Sequence, residues 1–150
     1  MEAEPAHGEL ELTVSAPVFG ETLGSAVAMS GETIVASALD PYGDGDHPGA
    51  VYVLTPDEAG RYNARKLTLP ATPGVEPRTE PPFEDFGGDV AISGSTVVVG
   101  VPFKSVDVDY GGAVQVFTLI ADGGFFSRRI APSTPVAGAR FGLRSPSATM

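Results

Sequence analysis

The residues best placed to do chemistry in this chain are carboxylates. Asp40, Asp44 and Asp46 lie close together and are followed by His47, and Asp107 and Asp109 repeat the alternate spacing of Asp44 and Asp46 further along. Carboxylates at alternate positions can converge on a hard cation such as calcium, which takes oxygen ligands. The same residues can also open turns by accepting backbone N–H groups. Neither run supplies the full ligand set of a calcium loop. No cofactor is expected beyond calcium, with Asp44, Asp46, Asp107 and Asp109 as its candidate ligands; Asp40, His47 and Tyr110 are further candidates for ligand contact.

Other chemistries find little footing. His7 and His47 are the only histidines, and no nucleophile-elbow sequence stands near either, so a Ser-His-Asp set is not expected. Asp44 with Asp46, or Glu84 with Asp85, could pose as a carboxylate pair, but sequence neighbours rarely face each other at glycosidase separations. Gly43, Gly45 and Gly49 lack the lysine and the strand-to-helix setting of a phosphate loop. No catalytic residue is assigned, and the chain reads as a protein that is not an enzyme. Arg65-Lys66 recurs as Arg128-Arg129. That pair could dock an acidic partner, or it could guard an outer edge strand against sheet-to-sheet pairing, and the second reading is preferred.

The elements that must hold these residues are short strands. Nineteen glycines and 14 prolines fall between short apolar runs, no segment sustains a helical period, and an all-β chain with many turns is expected. A net charge of −10, with the nine Lys and Arg scattered, argues against nucleic acid, which requires phosphate neutralisation. A cation or a basic partner is easier to accommodate. There are no cysteines, which removes disulfides and thiolate metal sites. No run reaches the ~18 apolar residues of a membrane span. The segment Met1 to Glu11 is acidic and without an apolar stretch, so it does not read as a signal peptide.

Self-comparison gives the organisation. At an offset of 63, Val27 to Gly31 aligns with Val90 to Gly94, Thr33 to Val35 with Thr96 to Val98, Gly49 to Val51 with Gly112 to Val114, and Arg65 to Leu67 with Arg128 to Ile130. Leu12 to Ala16 resembles Leu67 to Ala71, and Phe141-Gly142 restarts the pattern of Phe86-Gly87. Each unit reads as four strands, near 24–29, 33–38, 50–54 and 64–69, then near 87–92, 96–101, 112–118 and 127–131. Tight turns at Ser30-Gly31-Glu32 and Ser93-Gly94-Ser95 join the first two strands of each. Thr96 to Val101 is apolar almost throughout, as in a strand buried on both faces. A β-sandwich would instead show alternating strands and would not require the fixed offset.

Phe86-Gly87, Val90-Ala91-Ile92-Ser93-Gly94, Val97-Val98-Val99-Gly100-Val101-Pro102 and Gly112-Ala113-Val114-Gln115-Val116-Phe117 resemble the FG-GAP repeat, the blade unit of integrin α-chain propellers and of many bacterial surface proteins. The first unit carries Leu23-Gly24, Val35-Ala36-Ser37-Ala38 and Gly49-Ala50-Val51-Tyr52-Val53-Leu54 in the same places. The likeness is closer to the bacterial variety and covers roughly residues 10–142. It implies antiparallel four-stranded β-propeller blades: blade one at about 23–69, blade two at about 86–131, a flanking strand at 10–14 and an aborted third repeat from 141, between tails at 1–9 and 143–150. It also implies an extracellular or cell-envelope module that binds a protein or glycan. The short Ser30 and Ser93 turns stand where integrin-type blades often hold a calcium loop. A closed propeller takes at least ~4 blades, so the chain is expected to be part of a longer protein or one of several copies closing a ring. The long connections, roughly 39–49, 70–85, 102–111 and 132–140, fall on one side, and binding is expected on that acidic face. The alternatives are a structural or degenerate propeller fragment without separate activity, and part of a propeller hydrolase or lyase.

Overall fold

The computed structural model describes residues 22–39, 49–69, 85–103, 109 and 111–143. They form eight strands: β1 (Thr22–Ser30), β2 (Thr33–Leu39), β3 (Ala50–Pro56), β4 (Tyr62–Leu67), β5 (Val90–Ser93), β6 (Thr96–Val101), β7 (Ala113–Leu119) and β8 (Phe125–Ile130). The first four make one antiparallel sheet in the order β1-β2-β3-β4, and the last four make a second in the order β5-β6-β7-β8. The chain is all-β. Among the described residues there is no helix, and therefore none long and apolar enough to cross a membrane.

The two sheets are built on one plan. Val35 pairs with Ala28 and Val53 in the first, and Val98 pairs with Ala91 and Val116 in the second, each partner displaced by the same 63 positions. The β1–β2 and β5–β6 hairpins close on two-residue turns, between Ser30↔Thr33 and Ser93↔Thr96. Gly31 (φ 58°) and Gly94 (φ 56°) supply the positive φ that lets such turns follow the strand twist. The third and fourth strands are joined by a wider loop with matching bonds. Asp57 N–H donates to the Arg61 carbonyl at 2.8 Å and Gly60 N–H to the Asp57 carbonyl at 2.9 Å; Ile120 and Gly123 repeat this with Gly124 and Ile120 at 3.1 and 3.0 Å.

These loops bring β4 and β8 in two residues earlier than the apolar pattern alone places them, at Tyr62 and Phe125. In the Asp57 loop the aspartate carboxylate shapes the turn, accepting the N–H groups of Ala59 and Arg61, both at 2.9 Å. At the other end, β5 starts at Val90 and not at Gly87, because Gly87 takes φ 102° and Gly88 N–H closes a turn onto the Asp85 carbonyl at 3.0 Å.

The main core lies between the sheets. Val35, Val51, Val53 and Leu67 come from the first sheet, and Val90, Val97, Val99, Val101 and Phe117 come from the second, with Phe86 ahead of it. Phe86 and Phe117 meet edge to face at 5.9 Å, and Phe117 meets Phe125 likewise at 5.3 Å. Such T-shaped pairs add to plain area burial. Alternation along β2 and β3 sends Ala36, Ala38, Tyr52 and Leu54 to the opposite face of the first sheet, where they form a second buried cluster with Ala50. In β6 the expected burial on both faces is found only in part, since on the outer face Gly100 is buried against Gly142 but its neighbours are not. Val97, Val99 and Val101 are buried while Thr96 and Val98 are only half-buried, because one face alone of this strand meets the first sheet.

Candidate functional site

Two kinds of surface could carry function: the ends of the sheets that the long connections enter and leave, and the sheet faces. The long-connection end is built around glycines. Gly49 (φ 92°) precedes β3 and Gly112 (φ 79°) precedes β7, and in both places a side chain would collide with backbone. At Gly49 it would meet the Phe86 carbonyl, and at Gly112 the Phe141 backbone. Phe86-Gly87 therefore seats on the first sheet as Phe141-Gly142 seats on the second. Gly87 lies against Ser37, where a methyl group would stand 2.9 Å from Ser37 Cβ. Gly142 lies against Gly100 and Ala113, and Phe141 forms a parallel bridge with Gly112. Phe141 N–H donates to the Gly111 carbonyl at 2.9 Å.

The leading pair of the first sheet, Leu23-Gly24, has the same backbone form. Gly24 takes φ 91°, against 102° at Gly87 and 91° at Gly142. Unlike the other two, Gly24 has open space where a side chain would stand. The Phe-Gly pair thus does more than punctuate the sequence: twice it is the point where the following chain is laid on the preceding sheet. Its recurrence was visible in the sequence, but its contacts were not, since Ser37 and Gly49 lie far from Phe86 in the chain.

Of the candidate site residues, only Asp109 falls among those described. It is exposed, and its carbonyl accepts the Gly138 N–H at 3.0 Å, which ties the 102–111 connection to the 132–140 connection. Asp40, Asp44, Asp46, His47, Asp107 and Tyr110 lie outside the described residues, as do the flanking strand at 10–14 and both expected tails apart from Leu143. Among the described residues no three His, Asp or Glu side chains are grouped to hold a metal ion.

The recurring basic pairs sit on the edge strands β4 and β8. They are not equivalent in surroundings. Arg65 Nη1 donates across the sheets to the Gly124 carbonyl at 3.4 Å, and Lys66 Nζ lies 5.7 Å from the centre of the Tyr52 ring. Arg128 is exposed along with the whole of β8. A second cross-sheet bond runs from Gly94 N–H to Ser30 Oγ at 3.1 Å. Neither cross-sheet contact is visible in the sequence, because each joins residues far apart in the chain.

The Asp57 carboxylate has a perturbed titration. Asp57 is held below the ordinary carboxylate range, first by the Arg61 backbone N–H, against a smaller opposing effect of burial and with the Arg61 side chain and the Ala59 N–H assisting. The Arg61 guanidinium lies 2.9 Å from Asp57 Oδ2. This is turn architecture at the tip of a hairpin, remote from the long connections. Comparison with protein-family models, with curated proteins and with solved structures finds no match to this chain.

Proposed function

We propose that the two sheets are successive blades of a β-propeller, larger than this chain or assembled from several, and that the chain is a non-catalytic recognition or adhesion-type module. In this reading a protein or glycan is bound on the acidic face formed by the long connections. The observation that carries the proposal is the repeated seat: Phe86-Gly87 on Gly49 and Ser37, then Phe141-Gly142 on Gly112 and Gly100. A sandwich closes on two sheets and has no use for a second seat. A propeller lays each blade on the last and brings the corresponding loops to one side. The described residues that flank these connections, Gly49, Phe86, Gly112 and Phe141, form the seats, and loops on a rigid frame favour binding. The resemblance to FG-GAP repeats supports the same reading, and with it an extracellular or cell-envelope location.

The test uses the full chain. It is screened on a glycan array and titrated with a fluorescent oligolysine peptide, which probes the acidic face directly. The proposal expects saturable binding of a glycan or of the cationic probe, weakened about tenfold or more in a variant carrying Asp44→Asn, Asp46→Asn, Asp107→Asn and Asp109→Asn. Binding unchanged in that variant, or absent from both assays, would overturn the assignment of the face. Calcium is tested separately: bound at these aspartates, it raises the melting temperature at millimolar calcium in the parent chain only.

A further inference from the structure

The chain carries both halves of its own sheet-to-sheet interface, and both halves have open surface. On the first sheet, β1 turns Ala26 and Ala28 toward the core and leaves Val27 and Met29 outward, 65% and 66% exposed. Their counterparts 63 positions on, Val90 and Ile92, are the β5 residues packed against the first sheet. On the second sheet, Ala91 and Ser93 are exposed and Val98 and Val114 are half-buried. Their counterparts Ala28, Ser30, Val35 and Val51 are the residues that β5 and its neighbours cover. Ala91, Val98, Gly100 and Val114 of this outer face, with Asp89, Val90, Gly142 and Leu143 at its edge, line an open depression of about 200 Å³.

We propose that a second copy of this chain docks head to tail on the outer face of the second sheet, laying its exposed β1 there as β5 lies on the first sheet. This deepens the blade reading and rests on it. Ala36, Ala38, Tyr52 and Leu54 of the first sheet are already buried within the chain, so the contact is confined to the β1 end of that face. Val27 and Met29 of the second copy enter the depression beside Ala91. A polar contact follows from the internal interface. Ser30 Oγ accepts the Gly94 N–H at 3.1 Å, so Ser93 Oγ accepts the Gly31 N–H of the second copy. Two different patches meet, so the contact is heterologous and builds a ring or an open chain of copies. A net charge of −10 on each copy opposes it, and added salt strengthens it by screening that repulsion.

The experiment is sedimentation velocity on the full chain over a concentration series, at low and moderate salt, with two one-sided variants. Met29→Glu blocks the β1 side and Ala91→Glu blocks the outer face of the second sheet; both sites are exposed, and circular dichroism checks that the fold is kept. The parent chain is expected to form dimers and larger species as concentration and salt rise. Each variant alone is expected to stay monomeric at concentrations about tenfold above those at which the parent associates. An equimolar mixture of the two is expected to give a dimer and nothing larger, since each supplies the one intact face the other needs. Ser93→Ala is expected to weaken association severalfold. A parent chain monomeric throughout, or a mixture that stays monomeric, would overturn the proposal. So would one variant dimerising by itself, the mark of a contact between like patches. Probe binding by the long connections, measured where the chain is monomeric, separates failure of this contact from failure of the ligand reading.

Discussion

The inner face of the first sheet and the outer face of the second carry kindred residues in the same places. Val35, Val51, Val53 and Leu67 are fully or almost fully buried, while Val98, Val114 and Val116 are half-buried and Ile130 is 40% exposed. The strand pairing around them is the same. What differs is the neighbour: one face is covered by β5, β6 and β7, and the other, among the described residues, receives Phe141-Gly142 and Leu143. Burial in this molecule is therefore set by stacking order and not by local sequence. A face of valines becomes core when the next unit is laid on it, and otherwise stays an apolar patch available for association.

The two faces should differ most at Leu67 and Ile130. Leu67→Ala should cost about 2–5 kcal/mol, as expected for a fully buried leucine, whereas Ile130→Ala on the open face should cost about 1 kcal/mol or less. Urea denaturation at low protein concentration checks both, and equal losses would remove the asymmetry. The glycine seats come next. Gly87→Ala combines a disfavoured backbone with a close approach to Ser37 and should cost about 3 kcal/mol. Gly24→Ala shares the backbone form but meets nothing, and should cost only about 1–2 kcal/mol. A smaller effect separates Ser30 from Ser93. Ser30→Ala removes the acceptor for Gly94 and should lose about 0.5–1 kcal/mol, while Ser93→Ala should leave the monomer unchanged. The smallest is the hairpin tip. The Asp57 carboxylate has a lowered folded-state pKa, so its stabilisation is present above the ordinary carboxylate range and is lost as pH falls through the folded value. Asp57→Asn should therefore flatten the fall in melting temperature between neutral and acidic pH.

Much of the fold could be read from the residues. Runs such as Thr33 to Val35 and Thr96 to Val99, closed by Ser-Gly turns, located eight strands to within a few residues, because β-branched runs and positive-φ glycines are local signals. What was hidden is non-local. The early start of β4 reflects the carboxylate of Asp57 bonding its own loop, and the late start of β5 reflects Gly87 seated on Ser37. The uniform apolar run of β6 gave no sign that Val98 faces outward, since a sequence does not say which face finds a partner. The candidate ligand set was legible as a recurrence of Asp44 and Asp46 in Asp107 and Asp109. Of these the described residues include only Asp109, whose carbonyl joins two long connections.

That the two valine faces differ only in being covered can be read at the methyl groups. With valine methyls isotopically labelled and a soluble paramagnetic probe added at low protein concentration, the signals of Val35, Val51 and Val53 should persist, while those of Val98, Val114 and Val116 are attenuated. As the chain is concentrated and associates, the second set should regain protection, Val98 and Val114 foremost. Equal attenuation of the two sets at low concentration, or equal protection, would contradict it.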